Sequence, residues 1–109
     1  MPKRHTACVN VISPHTLAEF WNEYPDSEEP LREWLRHVQK ATYHNFADVR
    51  GDFGSADWVQ GFIVFNIGGN KYRLIVSPNF QGRFRTFFIK HVYTHRQYDR
   101  WNPAEEEES

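Results

Sequence analysis

The side chains best suited to chemistry lie late in the chain: Lys71, Arg73, Lys90, His91, His95, Tyr98 and Asp99. His95, Tyr98 and Asp99 stand at i, i+3 and i+4, so one helical turn groups an imidazole, a phenol and a carboxylate. Beside a cationic sheet, that set can do general acid–base work on a phosphodiester. RNA brings its own nucleophile, the 2′-hydroxyl. Cleavage then needs a group to take that proton, a cation to neutralise the developing dianionic phosphorane, and a donor for the leaving 5′-oxygen. Arg73 suits the middle task, because its guanidinium is permanently charged and forked. His95 or Tyr98 can serve either proton task. In the plainer reading, Tyr98 packs against the sheet and Asp99 pairs with Arg96 or Arg100 on the surface.

Lys71 and Arg73 lie two apart, and strand alternation predicts that both project from one sheet face, where two cations can meet one phosphate. Arg83, Arg85, Lys90 and His91 are further candidates for gripping an RNA backbone. Residues 61–103 carry seven Lys and Arg against Asp99 alone, whereas residues 1–60 carry six against nine acids. The formal net charge of −1 hides this asymmetry, because Glu105–Glu108 closes the chain. A basic half suggests a polyanion partner. Strand-edge Lys and Arg that block aggregation give the same signal. His91 and His95 are four apart, but no third ligand is evident, so no metal or cofactor is expected. The phosphate loops GxGxxG and GxxxxGK are absent, as is GxSxG. A lone cysteine, Cys8, excludes an intrachain disulfide. No run approaches the ~20 apolar residues of a membrane span. No export signal is evident either, so a cytoplasmic protein is expected.

These residues need a scaffold, and Phe62–Pro78 supplies its centre: two strands rich in β-branched and aromatic residues around Asn66-Ile67-Gly68-Gly69-Asn70. Adjacent glycines favour the positive φ that a short hairpin requires. Upstream, Ala7–Ile12 reads as a first strand. Ser13-Pro14 opens a helix to about Glu23, and Pro25 stops it. Asp26 or Ser27 is expected to cap a second helix, whose Leu31, Trp34, Leu35 and Val38 recur at core-facing spacing. Asn45–Phe53 suits a short helical turn, and Gly54–Gly61 is turn-rich. Arg83–Tyr93 reads as the last strand, with apolar residues at both odd and even positions. Thr94 caps a final short helix from His95 to Trp101. Residues 1–103 are expected to form a single domain, with 104–109 an acidic flexible tail. The expected fold is α+β, in the order β-α-α-β-β-β plus a short C-terminal helix. Two N-terminal helices cover one face of a small, antiparallel-rich sheet, and the other face is left free to work.

The segment from Phe65 to Leu74, FNIGGNKYRL, followed some twenty residues on by Thr94-His95-Arg96-Gln97-Tyr98-Asp99, resembles the HigB toxins of bacterial type II toxin–antitoxin systems, in the RelE-like superfamily. The SPxTLxxFW start and the PLxxW helix fit as well, so the resemblance covers about residues 9–101. It implies a RelE-like fold and metal-independent, translation-dependent mRNA cleavage in the ribosomal A site. It also implies neutralisation by a HigA-type helix-turn-helix antitoxin. Carried over position by position, Arg73, His95, Tyr98 and Asp99 fall in the matching motifs, and Lys90 sits where a basic residue is common. The chain departs at His91 and Tyr93, where the family pattern carries an apolar or acidic residue and a glycine. Two other functions fit the same basic sheet: a non-catalytic RNA- or ribosome-binding module, and a structural or antitoxin-like interaction protein.

Overall fold

The computed structural model describes residues 8–81 and 85–108. Asn10–Ile12 (β1), Asp57–Val59 (β2), Phe62–Ile67 (β3), Tyr72–Asn79 (β4) and Thr86–Thr94 (β5) form one sheet in the order β1-β5-β4-β3-β2. β1 runs parallel to β5, and the other pairs are antiparallel. Between β1 and β2 come His15–Glu23 (α1), a 3₁₀ turn at Pro25–Ser27, Glu28–Lys40 (α2) and Phe46–Asp52 (α3). His95–Asp99 (α4) follows β5, and a 3₁₀ helix, Pro103–Glu108, comes last. The architecture is the expected α+β arrangement, with one additional strand.

That strand, β2, arises from the turn-rich Gly54–Gly61 segment. It is three residues long and turns into β3 through Gln60 and Gly61, both at positive φ (49° and 91°). A strand so short gives no readable alternation. The central hairpin forms as its sequence dictates: Gly68 and Gly69 adopt φ of 63° and 71°. Along β4, Tyr72, Leu74 and Val76 face the helices, where Leu17, Leu31, Trp34 and Val38 meet Phe65 and Phe87 in the main core. Burying such side chains contributes about 1.5–3 kcal/mol each, and this anchors the helices to one face.

The opposite face has its own small apolar cluster, Phe62, Val64 and Ile75, against which Tyr93, Tyr98 and Trp101 pack. A bulge decides which β5 residues reach it. Ile75 pairs with His91 and Val76 with Ile89, so Lys90 has no partner in the register. Phe87 and Ile89 face the helices before the bulge, and Val92 does so after it. Inserting one residue inverts the alternation. The apolar residues at both parities of the sequence are thus two half-strands of opposite phase.

Three local expectations are corrected. Neither Asp26 nor Ser27 caps α2 through its side chain: the Ser27 hydroxyl donates to the Tyr24 carbonyl at 2.7 Å, and Asp26 is engaged elsewhere. The last strand begins at Thr86, and Arg83 lies outside the described residues. The acidic end does not run free, because Pro103–Glu108 forms a turn whose Glu106 bonds His91 and Trp101. Thr94, by contrast, caps α4 as its sequence predicts, in a reciprocal capping box with Gln97.

Candidate active site

Arg73 and Ile75 project from β4 away from the two long helices. Arg73 pairs across the sheet with Asn66 on one side and Tyr93 on the other. Its guanidinium donates to the carbonyls of Asn70 (3.1 Å) and Tyr72 (3.3 Å). It also lies over the Tyr98 ring, with 5.7 Å between guanidinium carbon and ring centroid. Tyr98 arrives there because the capping box starts α4 immediately after Thr94, which pairs with Tyr72 next to Arg73. One turn of helix then turns Tyr98 back over the sheet.

In the same turn, His95 Nδ1 and Asp99 Oδ2 are 3.6 Å apart, with side chains 58% and 65% exposed. The predicted imidazole–phenol–carboxylate grouping therefore forms on one helical turn, and its phenol is in contact with the predicted cation. Arg73 supplies positive charge, Tyr98 a hydroxyl, and His95 an imidazole partnered by a carboxylate. These are the requirements for moving protons around a phosphodiester.

The remaining sequence candidates divide. His91 shares the Arg73 face, because it follows the bulge. Its ring stacks on Tyr93 (centroids 4.8 Å, planes 13° apart), and its Nε2 lies 3.0 Å from Glu106 Oε2. Lys90 is the bulge residue itself. Its charge, with that of His91, helps to hold the Glu106 carboxyl low. Burial pushes that carboxyl up, but hydrogen bonds from His91 and Trp101 and the two charges outweigh it. The Tyr93 phenol is pushed up by burial and by the Glu106 charge.

Lys71 does not share a face with Arg73. It lies in the turn before β4 begins, so alternation does not govern it, and its ammonium donates to Asp26 on the α1–α2 connection. The Tyr72 hydroxyl donates to the same carboxylate at 2.6 Å. These two bonds hold the Asp26 carboxyl below its ordinary range, and they raise both Lys71 and Tyr72. Arg85 also stands apart: its Nε donates to the Tyr43 carbonyl at 3.2 Å, among residues of the helix-side core.

Sequence reasoning missed Tyr93, Trp101 and Glu106 on this face. The change of alternation phase around Lys90 and the departure from the family pattern at Tyr93 are the sequence signals that bear on Tyr93. A cavity of about 310 Å³, lined by Trp34, His37, Asp52 and Gly68 among others, lies on the helix side and includes neither Arg73 nor Tyr98. Among the described residues, no three His, Cys, Asp or Glu side chains are grouped so as to hold a metal. Nor is any helix long and apolar enough to cross a membrane.

Comparison with known proteins gives a consistent answer. Residues 27–101 match the family model described as HigB_toxin, RelE-like toxic component of a toxin–antitoxin system. The chain is 26% identical over 95 residues to an mRNA interferase HigB of Escherichia coli, an alignment spanning 84% of this chain and 90% of that relative. It is 24% identical over 94 residues to the mRNA interferase toxin HigB of another Escherichia coli strain and to the mRNA interferase HigB of Shigella flexneri, spanning 84% of this chain and 88% of each.

Proposed function

Because the chain belongs to the HigB family of RelE-like toxins, the toxic components of toxin–antitoxin systems, we propose that it cuts messenger RNA by 2′-hydroxyl attack on the adjacent phosphodiester. The observation that carries this reading is the contact between Arg73 and Tyr98 on the sheet face opposite the helices. The forked cation neutralises charge as the phosphorane forms. His95 and Tyr98 divide the two proton transfers, and Asp99 orients His95. Lys90 and His91 meet flanking backbone, and no metal takes part. The relatives' names as mRNA interferases support the same chemistry.

The active-site groups are few, and His95 and Asp99 are exposed, so positioning has to come from outside the chain. The ribosomal A site supplies it by holding the message in a fixed geometry, which lowers the entropic demand on a small enzyme. The toxin is neutralised by an antitoxin, which we take to be a HigA-type helix-turn-helix protein. All of these partners are in the cytoplasm.

The test is incubation of the protein with a defined message, either naked or engaged by translating ribosomes, followed by mapping of the new RNA ends. Cuts confined to the translated message are expected. Absence of cuts in both arms overturns the nuclease reading, and equal cutting in both overturns the ribosome's role.

A further inference from the structure

Two N–H groups converge on one oxygen at the rim of the Arg73 face. His91 Nε2 lies 3.0 Å from Glu106 Oε2, and Trp101 Nε1 donates to that same oxygen at 3.1 Å. The indole can only donate, and an ionised carboxylate can only accept. Nε2 therefore carries its proton here, and both donors address a single anionic oxygen. The pair is held in place from beneath. His91 stacks on Tyr93, the cross-strand neighbour of Arg73. Trp101 packs edge-on against Phe62, with centroids 5.5 Å apart, and lies 5.9 Å from the Tyr98 ring under Arg73.

The anion, in contrast, comes from the last turn of the described chain. Near it, the Glu105 amide bonds the Asn102 carbonyl and the Ala104 amide bonds the Asn102 side chain, which are contacts within the segment itself. A well-anchored donor pair thus receives a carboxylate from a short terminal turn.

We propose that His91 and Trp101 form a subsite for a backbone phosphate of the RNA, and that Glu106 occupies it in the free protein as an internal stand-in for that phosphate. A phosphate oxygen replaces the carboxylate oxygen on the same two donors, and the terminal turn moves aside. The nearby Lys90 charge favours either anion. The proposal rests on the RNA-cleaving reading above, and it adds Trp101 and Glu106 to the binding surface. It also accounts for an acidic residue lying on the face that has to accept a polyanion.

The experiment measures binding of a 2′-O-methyl oligoribonucleotide, which lacks the nucleophile, to the full-length protein at fixed low salt. Glu106→Gln keeps the shape of the side chain but removes its charge. It is expected to bind roughly fivefold or more tightly than the parent, because a charge-assisted contact no longer has to be displaced. Glu105→Gln, which removes an equal charge from the same turn, is expected to change affinity by less than about twofold. Adding Trp101→Phe to Glu106→Gln should abolish the gain. The Trp101 indole proton resonance of Glu106→Gln should move on titration with the oligonucleotide, and much less at equal concentrations of inorganic phosphate.

Unchanged or weaker binding by Glu106→Gln overturns the subsite, as does equal tightening by Glu105→Gln or a gain that survives Trp101→Phe. A response to inorganic phosphate as strong as that to the oligonucleotide overturns its assignment to RNA. If the parent binds the oligonucleotide while Glu106→Gln gains nothing, the subsite alone fails. If neither binds, the RNA-binding reading of this face fails with it.

Discussion

The Arg73 guanidinium sits over the ring of Tyr98, 5.7 Å from its centroid, on the side of the sheet that the long helices leave uncovered. Residues 25 positions apart in sequence meet there because β4 and β5 pair in register and α4 folds back directly from the end of β5. The contact couples the cation and the hydroxyl that the proposed reaction requires.

Replacing Arg73 tests the cation. Arg73→Ala should lower the rate of RNA cleavage by at least about 10²-fold, the scale of losing one group that stabilises an oxyanion. Arg73→Lys should recover only part of that, since it restores charge without the fork. Circular dichroism and thermal unfolding should be nearly unchanged in both, because the side chain is partly exposed and its described hydrogen bonds go to local carbonyls. Cleavage by Arg73→Ala at the parent rate would remove Arg73 from the mechanism.

Tyr98 has two separable properties, a ring that supports Arg73 and a hydroxyl. Tyr98→Phe keeps the ring and should still lower single-turnover cleavage by about 10² or more, the lower end of what a positioned acid or base contributes. Tyr98→Ala removes the support as well, so it should be slower still and less stable. Equal rates for the parent and Tyr98→Phe would leave the proton transfers to His95 and reduce Tyr98 to a platform.

Much of this arrangement was legible in the sequence because it depends on local signals. The Gly68-Gly69 pair specified the hairpin, and the i, i+3, i+4, i+7 spacing of Leu31, Trp34, Leu35 and Val38 specified α2 and its buried side. Thr94 specified the start of α4, and that start is enough to group His95, Tyr98 and Asp99. What was not legible depends on partners remote in sequence. Lys71 looks like a companion of Arg73 until Asp26, 45 residues away, draws it to the other side. The run Glu105–Glu108 reads as solvated until His91 and Trp101 provide a place for one of its carboxylates. The Lys90 bulge lay between: apolar residues at both parities were visible, but the change of phase behind them was not.

The Asp26 bonds predict how stability depends on pH. Asp26 is depressed in the folded protein, by Lys71 first and Tyr72 second. Its contribution is therefore present above the ordinary aspartate value of 3.8 and lost as pH falls through the lower folded value. Lys71 is raised by the same bond, so its contribution is present below its ordinary value of 10.5 and lost as pH rises through the higher one. The urea midpoint of Asp26→Asn should thus fall furthest below that of the parent between about pH 5 and 9, and the two should converge toward about pH 2. The variant will keep some acid sensitivity after this change, because Asp52 is depressed by His37 and Tyr43 in the same way. A parent–variant difference that is constant down to pH 2 would show that the pair does not titrate with folding.

The bulge at Lys90 absorbs the one residue that regular alternation would otherwise use to put His91 and Tyr93 on the helix side of the sheet. Lys90→Ala keeps the residue count of β5 and removes a half-buried side chain that has no partner in the register, so the protein should fold with a midpoint within a few degrees of the parent. Deleting Lys90 removes that unpaired residue, so Ile89 and His91 follow one another opposite Val76 and Ile75. The ladder can then run without a bulge while Phe87, Ile89 and Val92 stay on the helix side and His91 stays on the Arg73 face. The deletion variant should therefore still unfold cooperatively by circular dichroism, as Lys90→Ala does. A deletion variant that loses cooperative unfolding would mean that Lys90 does more in β5 than fill an unpaired position, and the register reading of the bulge would fail.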